Sequence, residues 1–243
     1  MTLLALAMIA AGLALVGLEL GRPLRAPNVF FHAETSWMTR EAAAAVLLFA
    51  LALAGVAARV PGLVQASALV GLVFLYCQAR MLRAAKGIVA WREPALTPLI
   101  VSTGLAEGAA LALAFGAGGQ STGWLPYLLI ALLTLRAYTW SHYCGRLHLS
   151  GAPLAARDEL SRLQPLYLLA GHALPIALLI LGISIPTLGA IAFIAAALSG
   201  TGAGWLAKYW IIARASYQQG YGIGSTRRGV PVMQKGRRER RSA

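Results

Sequence analysis

The chain has 243 residues, of which 58% are hydrophobic and only 12% charged, and its mean hydropathy is +0.68. A soluble domain carries about 25% charged residues, so the composition speaks against a water-soluble globule and for an all-α, polytopic membrane bundle. The formal charge of +13 would point to nucleic acid in a soluble protein. Here the membrane supplies the plainer cause, because basic residues gather in cytoplasmic loops, and no nucleic-acid partner is expected.

A spanning helix needs roughly 20 apolar residues. Seven segments qualify, at about 2–20, 41–60, 63–82, 95–116, 124–143, 165–183 and 186–213. The first lacks a basic leading region and a small-residue cleavage site, and is read as a retained helix. Pro61-Gly62 separates the second and third segments, Pro94 and Pro98 open the fourth, and 116–123 forms a polar turn. Residues 1–216 are expected to form the transmembrane bundle, and 217–243 a basic cytoplasmic tail. Two readings of the tail stand: an anchor to anionic lipid, or a strap ordered against a cytoplasmic subunit. Cys77 and Cys144 have no metal-ligand spacing, and no metal site is expected.

The basic residues set orientation. Eighteen of the 21 Lys and Arg fall on one side: Arg22, Arg25 and Arg40; Arg80, Arg83, Lys86 and Arg92; Arg146, Arg157 and Arg162; and eight from Arg214 onward. Arg59 lies alone on the other side, while Arg136 and Lys208 lie within segments. This asymmetry predicts an N-terminus outside and a C-terminus in the cytoplasm.

The stretch from Glu19 to Glu41 is the one extended polar connection in the first third of the chain. A carboxylate stands at each border between hydrocarbon and headgroups, and Arg22, Arg25, Arg40 and Trp37 lie between them. Ionisable groups at that depth are costly and invite a functional reading. The stretch is expected to cap a quinone pocket and to face an electron-transfer partner. Glu41 is the first candidate for proton handling; the alternative is a carboxylate facing a helix N-terminus. Glu19 stands at a helix C-terminus, where a negative charge is disfavoured. It either pairs with Arg22 or Arg25 or handles a proton.

Glu107 is expected to pair with a polar group of another helix or to serve a proton path. Arg136 and Lys208 are near enough to the interface to snorkel. His172 is expected to be a satisfied buried histidine or a quinone donor. A haem would need two facing axial ligands; His142 and His172 differ in depth, while His32 and His148 lie in loops, so no haem is expected. Most of Tyr76, Trp91, Trp140, Tyr143, Trp205, Tyr209 and Trp210 are expected in an interfacial belt. Gly200, Gly202 and Gly204 are expected to permit close helix packing.

Leu18-Glu19-Leu20-Gly21-Arg22-Pro23-Leu24-Arg25-Ala26 resembles the Leu-His-Leu-Gly-x-Pro-x-Arg-Ala signature of the membrane anchors of dimethyl sulfoxide reductases. Ser36-Trp37-x-x-Arg40-Glu41 is similar to the segment that follows it there. Arg80-Met81-Leu82 leading to Ala90-Trp91 is similar to a later loop, and 204–217 to the final helix. Those anchors have eight helices, and this chain is expected to begin at the second.

The resemblance implies an anchor without haem that exchanges electrons with ubiquinone or menaquinone. It implies an iron–sulfur subunit and a molybdenum or tungsten pterin subunit as partners, in the inner membrane of a bacterium. It places the quinone at Glu41 and at the position of Glu19; the chain's own pattern extends the expected quinone site to Arg22, Arg25, Trp37, Arg40, Arg80 and His172, and the expected partner surface comprises Arg22, Arg25, His32, Arg83, Lys86, Trp91 and Arg92. Glu19 replaces the family's histidine. The short form and the cytoplasmic face resemble the branch that serves phenylacetyl-CoA oxidation, with anchors of cytoplasmic sulfite dehydrogenases next. A small-solute transporter is the alternative of another class.

Overall fold

The structure, a computed structural model, describes residues 2–19, 21, 23–31, 34–85, 87–116 and 123–216. Arg22, His32, Lys86 and the tail 217–243 lie outside the described residues. Within them every regular element is helical. The elements are α1 (Thr2–Leu18), α2 (Trp37–Ala57), α3 (Pro61–Ala84), the short α4 (Val89–Arg92), α5 (Leu96–Gly116), α6 (Leu125–Leu149), α7 (Leu154–Leu168), α8 (Leu174–Ser184) and α9 (Gly189–Tyr209). A π-turn, Leu169–Ala173, fuses α7 to α8, and another, Trp210–Arg214, extends α9.

Five helical rods are long and apolar enough to cross a membrane: α2, α3, α5, the fused Leu154–Ser184 and Pro186–Arg214. α1 is apolar but has only 17 residues, and α6, which carries Arg136 and Arg146, is not among the five. The expectation of seven crossings therefore reaches further than these five.

Several boundaries differ from those expected, for one physical reason. A helix does not stop where its apolar run stops, because charged side chains are good helix formers once they reach water. α6 continues to Leu149, and α7 begins at Leu154, after Pro153. The expected loop 144–164 is thus mostly helix, and Arg146, Arg157 and Arg162 sit on it. α2 begins at Trp37, where Ser36 caps the helix by accepting from Thr39 N at 3.3 Å. Glu41 accordingly stands in the second turn, not at the first helical residue.

α2 and α3 form a hairpin whose turn is closed by two backbone bonds. Val60 N donates to Gly55 O at 2.9 Å and Arg59 N to Val56 O at 3.3 Å. This motif puts its C′ residue in the left-handed region, and Arg59 occupies it with φ +56°. α1 packs against α2 and buries only Leu6.

The remaining helices form a second unit with two apolar clusters. One, at the basic end, gathers Leu96, Leu99, Trp140, Tyr143, Tyr167 and Ala207. The other gathers Leu113, Leu129, Leu133, Leu179 and Ala196. Trp140 and Tyr143 are fully buried here, which corrects their placement in an interfacial belt. Tyr76, Trp205 and Tyr209 do face outward.

Candidate functional site

Two polar constellations stand out among the described residues. The first stands where α2 begins and α3 ends. Trp37 and Glu41 are four residues apart, hence on one face of α2. The guanidinium carbons of Arg40 and Arg80 lie 4.4 and 4.5 Å from the centroid of the Trp37 ring. Tyr76 meets the same ring edge-on at 5.8 Å, and Arg80 Nη1 lies 3.5 Å from its hydroxyl. Arg40 Nη2 donates to Glu34 O at 2.7 Å, and Thr39 Oγ1 to Val29 O at 2.5 Å, so the turn 23–31 is tied to α2. Glu41 is only 8% exposed, with the Gln78 side chain beside its carboxylate. The structure thus brings Arg40 and Arg80, marked by the polar stretch and by the resemblance, onto Trp37, with Glu41 one turn along α2, and adds Tyr76 and Gln78. What could have marked these two is helical spacing: both stand within four residues of Arg80.

Other marked residues stand apart. Glu19 and Arg25 are exposed, and among the described residues no ion pair joins them. Arg83 is half-buried and Arg92 exposed. Trp91 turns its indole inward, and Nε1 donates to Ile211 O at 2.9 Å. That carbonyl is free because Ala215 N donates to Trp210 O, one residue further back than in an α-helix.

The second constellation lies between the two apolar clusters, where α5, α6, α9 and the first π-turn converge. Arg136 is 0% exposed, which corrects the expectation that it snorkels. Its Nε donates to His172 Nε2 at 3.2 Å, Nη1 to Gly200 O at 2.9 Å and Nη2 to Gly171 O at 2.5 Å. The sequence dictates why these acceptors are open. Pro175 has no N–H to give, and Leu174 N is spent on Leu169 O, so the carbonyls of Ala170 and Gly171 lose their helical donors. Ser199 Oγ takes the first at 2.5 Å, and Arg136 the second.

His172 is 4% exposed, and both ring nitrogens are engaged: Nε2 by Arg136, Nδ1 by Tyr167 O at 3.0 Å. Since a guanidinium only donates, Nε2 is the acceptor and Nδ1 carries the proton. The turn that holds His172 packs on α6, α7, α8 and α9, so its ring serves this layer and has no nitrogen free for a quinone. Lys208, half-buried, donates to Glu107 Oε2 at 2.6 Å, in place of the expected snorkelling. The other carboxylate oxygen, Oε1, is buried without a hydrogen-bond partner. Gly204 makes the layer possible: a Cβ there would fall on Glu107 Oε1 and within 3.0 Å of Arg136 Nη1. Ser102 and Thr139, bonded at 2.8 Å, complete the layer between α5 and α6.

Inside a bilayer a charge without partners is expensive. A guanidinium with three acceptors and an ion pair across Gly204 is a structural solution to that cost. It is also an arrangement able to hold a charged or protonatable group at depth. No protein-family model, curated protein or solved structure matches the chain.

Proposed function

We propose that the chain is the membrane anchor and quinone-reactive subunit of a multisubunit molybdenum or tungsten oxidoreductase. In this reading the chain crosses a bacterial inner membrane seven times, with the N-terminus outside and the basic end in the cytoplasm. An iron–sulfur subunit docks on the basic end and carries the pterin subunit. Electrons pass between its cluster and the quinone pool, and catalysis on the organic substrate resides in the partner. Phenylacetyl-CoA oxidation is the first candidate substrate chemistry, because the docking surface is cytoplasmic in this orientation and an acyl-CoA exists there; sulfite oxidation is the second.

The observation that carries the reading is Glu41. A carboxylate that is almost fully buried one turn from Trp37, with two guanidiniums within 4.5 Å of that ring, matches the needs of a quinone head. The guanidiniums and the Tyr76 hydroxyl are donors for carbonyl oxygens, and the ring offers a stacking face. Glu41 supplies a proton-transfer group at the hydrocarbon border. These residues fit a quinone by donor type. Bound there, the quinone would supply two-electron, two-proton chemistry; the chain's part is to orient it and to move a proton at the Glu41 carboxyl.

The buried Arg136–His172 layer and the two π-turns favour a second reading, a small-solute transporter, since π-turns and intramembrane charges mark functional sites. Affinity capture of the tagged chain from its native membrane, with identification of the captured subunits, separates the two. The anchor reading predicts stoichiometric iron–sulfur and pterin subunits. A chain that purifies alone while catalysing solute uptake in vesicles would replace it with the transporter.

A further inference from the structure

At the basic end, α7 and the second π-turn flank an open cleft of about 370 Å³, lined by Glu159, Arg162, Leu163, Leu166, Trp210 and Arg214. Arg162 is 74% exposed and pairs with Glu159 at 3.1 Å. The Arg214 guanidinium lies 5.8 Å from the Trp210 ring centroid. Trp210 Nε1 is buried and has no hydrogen-bond partner. The cleft therefore offers two guanidiniums and a single carboxylate, and Leu166 lies outward-facing beside them.

The cleft stands where α7 passes from its polar turns, Arg157 to Gln164, into the apolar run that begins at Leu166. That is headgroup depth for a rod that crosses a bilayer. Guanidiniums recognise phosphate through paired N–H donors. Leu166, outward-facing, gives a hydrocarbon surface beside them. We infer that this cleft binds the phosphate headgroup of an anionic phospholipid, with an acyl chain laid along Leu166. The chain's own tail is an unsuitable occupant, because residues 217–243 carry basic side chains that Arg162 and Arg214 repel.

The test uses the full chain in detergent, with lipid retention read by native mass spectrometry after addition of phosphatidylglycerol or phosphatidylcholine. Phosphatidylglycerol is retained preferentially, and the double variant Arg162→Gln, Arg214→Gln lowers its retention roughly 30-fold, each basic group near the surface contributing about 1 kcal/mol. Arg83→Gln with Arg92→Gln, basic residues of the same end outside the cleft, leaves retention as it was, and soluble glycerol phosphate does not displace the lipid. Equal retention of phosphatidylcholine, displacement by glycerol phosphate, unchanged retention in the double variant or an equal loss in the Arg83, Arg92 control each overturns the site. Gel filtration of every variant confirms that a loss reflects the cleft and not misfolding.

Discussion

Arg136 Nε donates to Nε2 of His172 at 3.2 Å, and this contact fixes the state of the imidazole. Nε2 must carry a lone pair, and Nδ1 must hold the proton that goes to Tyr167 O. Nitrogen NMR of histidine-labelled protein is expected to show His172 as the neutral Nδ1–H tautomer. A signal from Nε2–H would show that the ring faces Arg136 the other way.

The same guanidinium is expected to resist conservative replacement. Arg136→Lys keeps the charge but cannot reach His172, Gly171 O and Gly200 O together, so two acceptors lose their donor. At roughly 1 kcal/mol for each intramembrane hydrogen bond, the cost is about 2 kcal/mol, readable as a lower unfolding midpoint in detergent. An unchanged midpoint would mean that Lys satisfies the layer.

Gly204 and Gly202 make a controlled pair. A methyl at 204 meets the Glu107 carboxylate and Arg136, whereas a methyl at 202 meets nothing within 4 Å. Gly204→Ala is expected to cost about 1–3 kcal/mol by overpacking, with little effect from Gly202→Ala. Equal effects would remove the argument that Gly204 exists to seat Glu107.

Arg59 is held in the left-handed region at φ +56°, where a side chain costs roughly 1–2 kcal/mol. Arg59→Gly should raise stability by about 1 kcal/mol, and a lowered unfolding midpoint would show that the Arg59 side chain itself is needed there.

These relationships divide by how far apart their residues lie in the sequence. The apolar runs were legible because hydropathy is a local property, and they locate every long helix. The Trp37, Arg40 and Glu41 group was legible as a polar island between two such runs, and Arg80 through the family resemblance. The Arg136 layer was not, because its members come from four elements spaced by dozens of residues. What sequence did hold was a proline four residues after Gly171, which frees a carbonyl, and a run of glycines at 200, 202 and 204, of which Gly204 admits a carboxylate. Neither says which side chain arrives. The extended α6 and α7 were missed because their ends are polar, and a search for hydrocarbon-length runs ends where hydrocarbon does.

The direct test of the quinone-reactive role is Glu41→Gln in the complex purified from native membranes. Electron transfer to a soluble quinone analogue and to an artificial dye are measured side by side, with subunit composition checked on the same sample. Glutamine keeps the size and the hydrogen bonding near Gln78 but cannot exchange a proton. Quinone-linked turnover is expected to fall on the order of 100-fold, the scale of a lost general acid–base group, while dye-linked turnover and assembly stay at wild-type level. Quinone-linked turnover at the wild-type rate would contradict the account.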